Sequence, residues 1–509
     1  MLYGVMKGTK TRQISFLPSS TIAIGVLSVL LCFQSCNKKG SDNLNVNINS
    51  ERFSNPREYS SIVDSTYVTF WKALQHNQPN MPMSVMAQGI GSGWGNWGMH
   101  EMGYNPKRAL NNSPNYIYSE TITTAWNGLY EVLGTMNDFL SVMQTNQAQI
   151  IDELGAEAKD ELIANAKGLQ GLSLGYLSLL YDQAYIVDEN SDPSSSNFST
   201  YEEVNDAAGL KLAEAIGLFQ GSDVEITGWN GLVYVGDNAA DLLKAFMAKF
   251  EVLQARNLDE LQNIDWSSVL ANTTNDILDL APIGNDKEEW WHRMLIQGQD
   301  PNWVRMHQKI IKMMNPNKPD SEVPYPYPGG IFNMPEINDP EDIRVNTDFT
   351  YKFLLNPGRL AYLLSSNYIY NRYSDYRTTL TGPMNFFTAS EVSLLRAEAI
   401  LKTGGDRSVA ASIINNTRVL RGGLQPLTGA ENLEVLLQAI SYERFVEFTF
   451  HAACNVWFYR RIITPPGNQD SLNVYYLEPN SARHFPVPGF ELNFNNLPIY
   501  TFGGAEPEQ

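Results

Sequence analysis

The chain is poor in cysteine and histidine. Its 509 residues include 3 cysteines, Cys32, Cys36 and Cys454, and 6 histidines. Three thiols cannot build a disulfide framework, and their spacing suits no zinc site. The histidines are scattered at His76, His100, His292, His307, His451 and His484. None falls in H-E-x-x-H or another ligand spacing, so they read as surface or satisfied core residues. Cys454 lies in the apolar run FTFHAACNVWF and reads as a buried, inert thiol. No metal or other cofactor is expected. Basic residues are also scarce: 36 Lys and Arg stand against 55 Asp and Glu, a net charge of −19. No basic run of five occurs, and a phosphate-neutralising surface needs such clusters, so nucleic acid is excluded as a partner.

A positive start (Lys7, Lys10, Arg12), a short apolar stretch, TIAIGVLSVLLCF, and then Gln34-Ser35-Cys36 open the chain. That order is a secretory leader, too short in its apolar part for a transmembrane helix. Ending on Ser-Cys, it resembles a bacterial lipobox with Cys36 as the acylated residue. Residues 1–35 therefore read as a signal peptide and 36–56 as a leash after the lipidated cysteine, its NKKGSDNLNVNINS stretch polar and flexible. No later apolar run reaches 18 residues, so a body tethered by lipid is expected.

From residue 57 the hydrophobic period is helical. Val63, Tyr67, Phe70, Trp71 and Leu74 form one stripe, and Trp126, Leu129, Leu133, Met136 and Leu140 another. Further amphipathic stretches with short connections predict a mainly α fold of tetratricopeptide-like hairpins. Gly404 and Gly405 stop one helix and Asp406 caps the next. Two insertions, about 79–116 and 282–360, lose the period and are rich in Pro, Gly, Asn and aromatics. They predict an irregular lobe with a few short strands on one domain, 57–509.

Two motifs mimic catalytic signatures. GWGNWG, residues 93–98, spells G-x-G-x-x-G, but it lacks a clear strand before and a helix after, and places indoles where a pyrophosphate must approach backbone. GLSLG, residues 171–175, spells a nucleophile elbow, yet it sits inside a helical period, where small residues serve close helix packing rather than a strand-to-helix turn. No P-loop occurs, and no carboxylate pair stands out among the 55 acidic residues. No catalytic residue is assigned, and a binding role is favoured over an enzyme.

Four segments carry a resemblance. They are E-x-x-L-x-x-A-E-A (Glu391, Leu394, Ala397, Glu398, Ala399), A-x-x-x-I-N-x-x-R (Ala410, Ile414, Asn415, Arg418), E-R-x-x-E-F (Glu443, Arg444, Glu447, Phe448) and P-x-x-E-x-x-x-N after Val487 (Pro488, Glu491, Asn495). In this order they are similar to the C-terminal half of the SusD/RagB family, surface lipoproteins of Bacteroidetes nutrient uptake. The segment after E-R-x-x-E-F departs from the family pattern: HAACNVWFYRR keeps the aromatic, Trp457, but not an acidic-Gly pair. The resemblance implies a non-catalytic protein that binds glycans, or in some branches peptides, and passes them to a SusC-like TonB-dependent transporter on which it sits as a lid. The E-R-x-x-E charges are expected to pair within the helical lobe.

Flat indoles cover the C–H faces of sugars, and amides satisfy the hydroxyls. Trp94, Asn96 and Trp97 therefore compose a sugar-stacking loop, with Trp290, Trp291 and Trp303 of the second insertion as further candidates. The alternative for each indole is a plug in the core beneath its loop.

Overall fold

The computed structural model describes residues 52–504, except 77, 93, 192–196, 298–299, 324, 327–333, 354–363 and 452. The leader, Cys36 and the leash up to residue 51 lie outside the described residues. Asn55–Gln509 form one compact unit.

Nine helices of nine residues or more occur among the described residues: α1 Tyr59–Gln75, α2 Glu120–Thr145, α3 Ala156–Leu180, α4 Tyr201–Phe219, α5 Asp237–Leu253, α6 Ala389–Lys402, α7 Arg407–Arg418, α8 Leu433–Glu447 and α9 Asn455–Ile463. Side chains cap the starts of α4, α6, α7 and α8. Thr200 and Glu203 form a reciprocal capping box at α4, Asp406 accepts from the Ser408 N–H at α7, and Asn432 accepts from the Val435 N–H at α8. α1 packs on α2, α2 on α3, α3 on α4 and α4 on α5, and α6 then packs on α7 and α8. This is a mainly α scaffold of stacked helical hairpins. The strands form five short antiparallel pairs. No helix among the described residues is long and apolar enough to cross a membrane.

The GLSLG segment lies in the middle of α3, as its period predicted. A Cβ on Gly171 would meet Leu212 of α4 at 2.6 Å, and one on Gly175 would meet Phe250 of α5 at 2.1 Å. The two glycines let three helices approach. Ser173 is buried between them, away from any strand-to-helix turn.

The C-terminal motif residues knit the helical lobe together. Arg344 lies in the short helix Arg344–Thr347 and is fully buried. It bonds Asp342 at 2.7 Å, Glu443 at 2.7 Å and Glu447 at 2.9 Å. Glu447 also receives Arg372 at 2.8 Å and Arg421 at 2.6 Å. Arg444 pairs with Glu398 at 2.6 Å, and Glu391 pairs with Lys249 of α5 at 2.9 Å. Burial works against ionising Glu447, but Arg372, Arg344 and Arg421 together hold its carboxyl below the ordinary value. Glu443 is pushed up by burial in spite of Arg344. The E-R-x-x-E charges thus pair internally. In the departing segment, Cys454 is buried in left-handed backbone (φ +56°) and starts α9. Burial raises its thiol well above the ordinary value. Trp457 is buried and donates to the Ala482 carbonyl at 2.9 Å.

One sequence expectation changes in detail. The first insertion is less irregular than its composition predicts, because Asn80–Met86 fold into a short helix whose seven residues are all buried. In the C-terminal FPVPGFELNFN, Pro488 precedes a helix over Gly489–Phe494. Proline ends the preceding extended run and sets the backbone for a helix start.

Candidate functional site

The two insertions meet through a very small element. Ile90–Gly91 pairs antiparallel with Arg305–Met306, with Gly91 opposite Arg305. A Cβ on Gly91 would lie 2.3 Å from Ser365 Oγ, so the strand needs glycine there. In an antiparallel pair the chain leaving one strand lies beside the chain entering the other. Ser92 and Trp94 therefore lie alongside residues 302–304.

Hydrogen bonds lock this arrangement. Ser92 Oγ donates to the Trp303 carbonyl at 2.8 Å, and Trp94 Nε1 donates to the Asn302 carbonyl at 2.8 Å. Asp300 accepts from the Asn302 N–H at 2.9 Å. The buried Arg305 guanidinium holds the same loop from below, donating to the Pro301 carbonyl at 2.8 Å and the Lys352 carbonyl at 2.9 Å. Burial lowers its pKa to about 10. On the other side, Trp97 takes a left-handed conformation (φ +56°), and its carbonyl accepts from Gln78 Nε2 at 3.0 Å. Gly98, also left-handed (φ +76°), packs beside Tyr118 and Thr121 at the start of α2.

The result is a row of rings. Trp94 and Trp303 stack with centroids 5.7 Å apart and planes 14° apart. Trp303 meets Trp97 at 5.6 Å, tilted by 38°. The Arg293 guanidinium lies over Trp97 at 4.7 Å and over Trp291 at 4.4 Å, so it is held between two indoles. Trp291 in turn meets His76 edge-on at 5.4 Å. Trp94 is 37% exposed, Trp97, Trp303, Trp291 and Arg293 are half-buried, and Asn96 is exposed. Burial pulls the His76 pKa down to about 4, keeping the ring neutral at physiological pH; its Nε2 bonds the Glu289 carbonyl at 3.0 Å.

Four of the tryptophans singled out by sequence (Trp94, Trp97, Trp291 and Trp303) therefore come together, with Asn96 beside them. Trp290 does not join them. It is 4% exposed and packs on Trp71 at 5.4 Å and Trp229 at 6.0 Å. It plugs the core. Burial alternates along residues 290–292, none of which is helical. Trp290 and His292 turn inward and are buried, while Trp291 turns outward. Trp71 Nε1 donates to the Trp291 carbonyl at 3.0 Å, fixing this facing. Arg293 and His76 were not found from sequence. The available signal was the alternation itself, which puts Arg293 on the same side as Trp291.

The nucleotide reading of GWGNWG finds no support in this geometry. The strand before it is two residues long and the helix after it, Met99–Met102, has four. No cluster of three or more His, Cys, Asp or Glu among the described residues could hold a metal. Two clefts, of about 490 and 530 Å³, line α8 near Tyr475 and share no residue with the tryptophan row. Among the described residues the row is partly open to solvent.

No family model matches the chain, and no curated protein matches it. Solved structures do. A SusD superfamily protein from Parabacteroides distasonis aligns over 86% of this chain and 97% of its own, with a TM-score of 0.58 and 13% identity. A SusD-like carbohydrate-binding protein from Bacteroides fragilis aligns over 87% and 99%, with a TM-score of 0.58 and 13% identity. Surface glycan-binding protein A from Bacteroides uniformis aligns over 87% and 99%, with a TM-score of 0.55 and 14% identity. At such identity the likeness is one of fold: the chain has the mainly α, SusD-like fold.

Proposed function

We propose that this protein is a non-catalytic glycan-binding lipoprotein of the SusD/RagB family, which captures oligosaccharides on the tryptophan row at the cell surface. The observation that carries the reading is the row itself. Trp94, Trp303, Trp97 and, through Arg293, Trp291 form a continuous run of ring contacts that is partly open to solvent. Asn96 lies exposed at its edge as a hydroxyl partner. Indole faces cover sugar C–H surfaces at low entropic cost. The fold likeness to a carbohydrate-binding protein and a surface glycan-binding protein supports the same class. Acylation at Cys36 would tether the body to the outer membrane, and the captured glycan would pass to a SusC-like TonB-dependent transporter. A combined glycan and peptide array on the purified protein tests the binding role. Glycan binding that Trp303→Ala reduces supports it; peptide binding without glycan binding overturns it. Cys36→Ser should release the protein from the membrane fraction, and its retention there as an acylated protein would remove the anchor from the proposal.

A further inference from the structure

Resting on the glycan-platform reading, the geometry points to an acidic glycan as the ligand: a sugar chain carrying an anionic group, a carboxylate or a sulfate ester, that docks on Arg293. The first observation is that Arg293 has no anion of its own. Its guanidinium forms no ion pair with any described residue, and its buried Nε has no hydrogen-bond partner there. This is a half-buried cation in a chain with 55 acidic residues, where supplying a carboxylate partner would have been easy. Desolvation without such a partner destabilises the charged form, and its pKa is accordingly lowered by burial. A bound anion would offset that cost.

The second observation is the way the guanidinium is held. Its central carbon lies over the Trp97 ring at 4.7 Å and over the Trp291 ring at 4.4 Å. A guanidinium held by aromatic rings still carries its N–H groups at the rim of its plane, and that rim is the fork that matches two oxygens of a carboxylate or sulfate. A lysine could not be gripped in this way. The third observation is continuity. Trp97 also meets Trp303, which stacks on Trp94. A chain lying along the indoles places one sugar unit beside the fork while its neighbours stack. His76, at the far side of Trp291, is neutral and adds no second charge.

The test is calorimetric titration with matched pairs: uronate-containing oligosaccharides (galacturonate, mannuronate–guluronate and glucuronoxylan fragments) against their carboxyl-reduced forms, and sulfated galactan fragments against their desulfated forms. The expected result is that the acidic member of at least one pair binds about tenfold or more tightly than its neutral partner. The pair that does so identifies the anion as carboxylate or sulfate. Arg293→Gln should abolish the preference, read as the ratio of acidic to neutral affinity within the same variant. Arg293→Lys, which keeps the charge but not the fork, should retain only part of it and provides the reading if the glutamine variant does not fold. Neutral forms binding as tightly as acidic ones, or Arg293→Gln keeping the preference, would overturn the inference. If neutral glycans bind without preference and Trp303→Ala removes that binding, the platform survives and the acidic specificity does not. If no glycan binds at all, both fall.

Discussion

The arginines of the helical lobe and the arginine of the tryptophan row solve opposite problems. Arg344, Arg444, Arg372 and Arg421 each reach a carboxylate. Arg256 and Arg461 are buried on main-chain carbonyls instead, those of Leu179, Ser178 and Tyr181 for the first and of Leu179, Arg483 and Leu253 for the second. Among the described residues Arg293 meets two indoles and no anion. A cation whose partners are internal fixes the fold; a cation held by rings alone leaves its hydrogen bonds for something else. The contrast separates residues whose loss should be read in stability from those whose loss should be read in binding.

The largest effect should come from breaking the closed network. Arg344→Met leaves Asp342, Glu443 and Glu447 buried with the loss of their shared cation. Removing one partner of a buried ion pair costs about 3–5 kcal/mol. Chemical denaturation should show that loss, while the folded fraction binds glycan as before. A variant as stable as the native protein would mean the network is relieved by protonation or water, and the first half of the contrast would fail.

The adjacent pair Trp290 and Trp291 sharpens the comparison at the scale of one residue. Trp290→Ala opens a hole between Trp71 and Trp229 and should cost about 3–5 kcal/mol of stability, with binding intact in the folded fraction. Trp291→Ala should do the reverse, lowering affinity with little change in melting. Equal losses of stability from both would show that the row is an outer layer of the core. Next in size is Trp303→Ala. Trp303 is the ring that Trp94 and Trp97 share, so its removal should weaken glycan binding by about 1–3 kcal/mol, the range of an interface anchor. Titration of the variant beside the native protein measures this. A loss confined to stability would count against the platform.

These pairs also mark what the sequence made legible. Helical stripes, the Gly404–Gly405 stop and the Asp406 cap follow from local rules, and the structure places them as expected. The packing role of Gly171 and Gly175 was readable because their helical period had no room for a turn. The four grouped tryptophans were readable as a composition, but their grouping was not. It depends on a two-residue strand pair joining segments more than 200 residues apart, and no periodicity announces an element that short. The Trp290–Trp291 doublet reads as one feature of composition, whereas Trp290 is the core plug that the alternative reading allowed and Trp291 is half-buried. Arg293 escaped notice because an unpaired charge is a statement about neighbours, and neighbours across the fold are not visible along the chain.

The smallest expected effect is a difference in how the two regions respond to pH. Burial holds His76 at about 4, with the Glu289 carbonyl opposing and Lys72 and Arg293 adding to the shift. An unfolded histidine titrates near 6.5. As pH falls from 7 to 5 the unfolded chain takes up a proton that folded His76 refuses, so stability present above about pH 6.5 is lost as pH falls towards 4. The full shift would give about 2 kcal/mol at pH 5, and screening at this half-buried site reduces that to about 1 kcal/mol. His76→Gln keeps a donor for the Glu289 carbonyl and removes the titration. The stability of His76→Gln relative to the native protein should therefore rise by about 1 kcal/mol between pH 7 and pH 5. Over the same range glycan affinity should stay flat, because Arg293 remains charged and His76 remains neutral. Paired denaturation and titration series check both statements. Affinity for an acidic glycan that climbs as pH falls towards 5 would show His76 gaining charge beside the row.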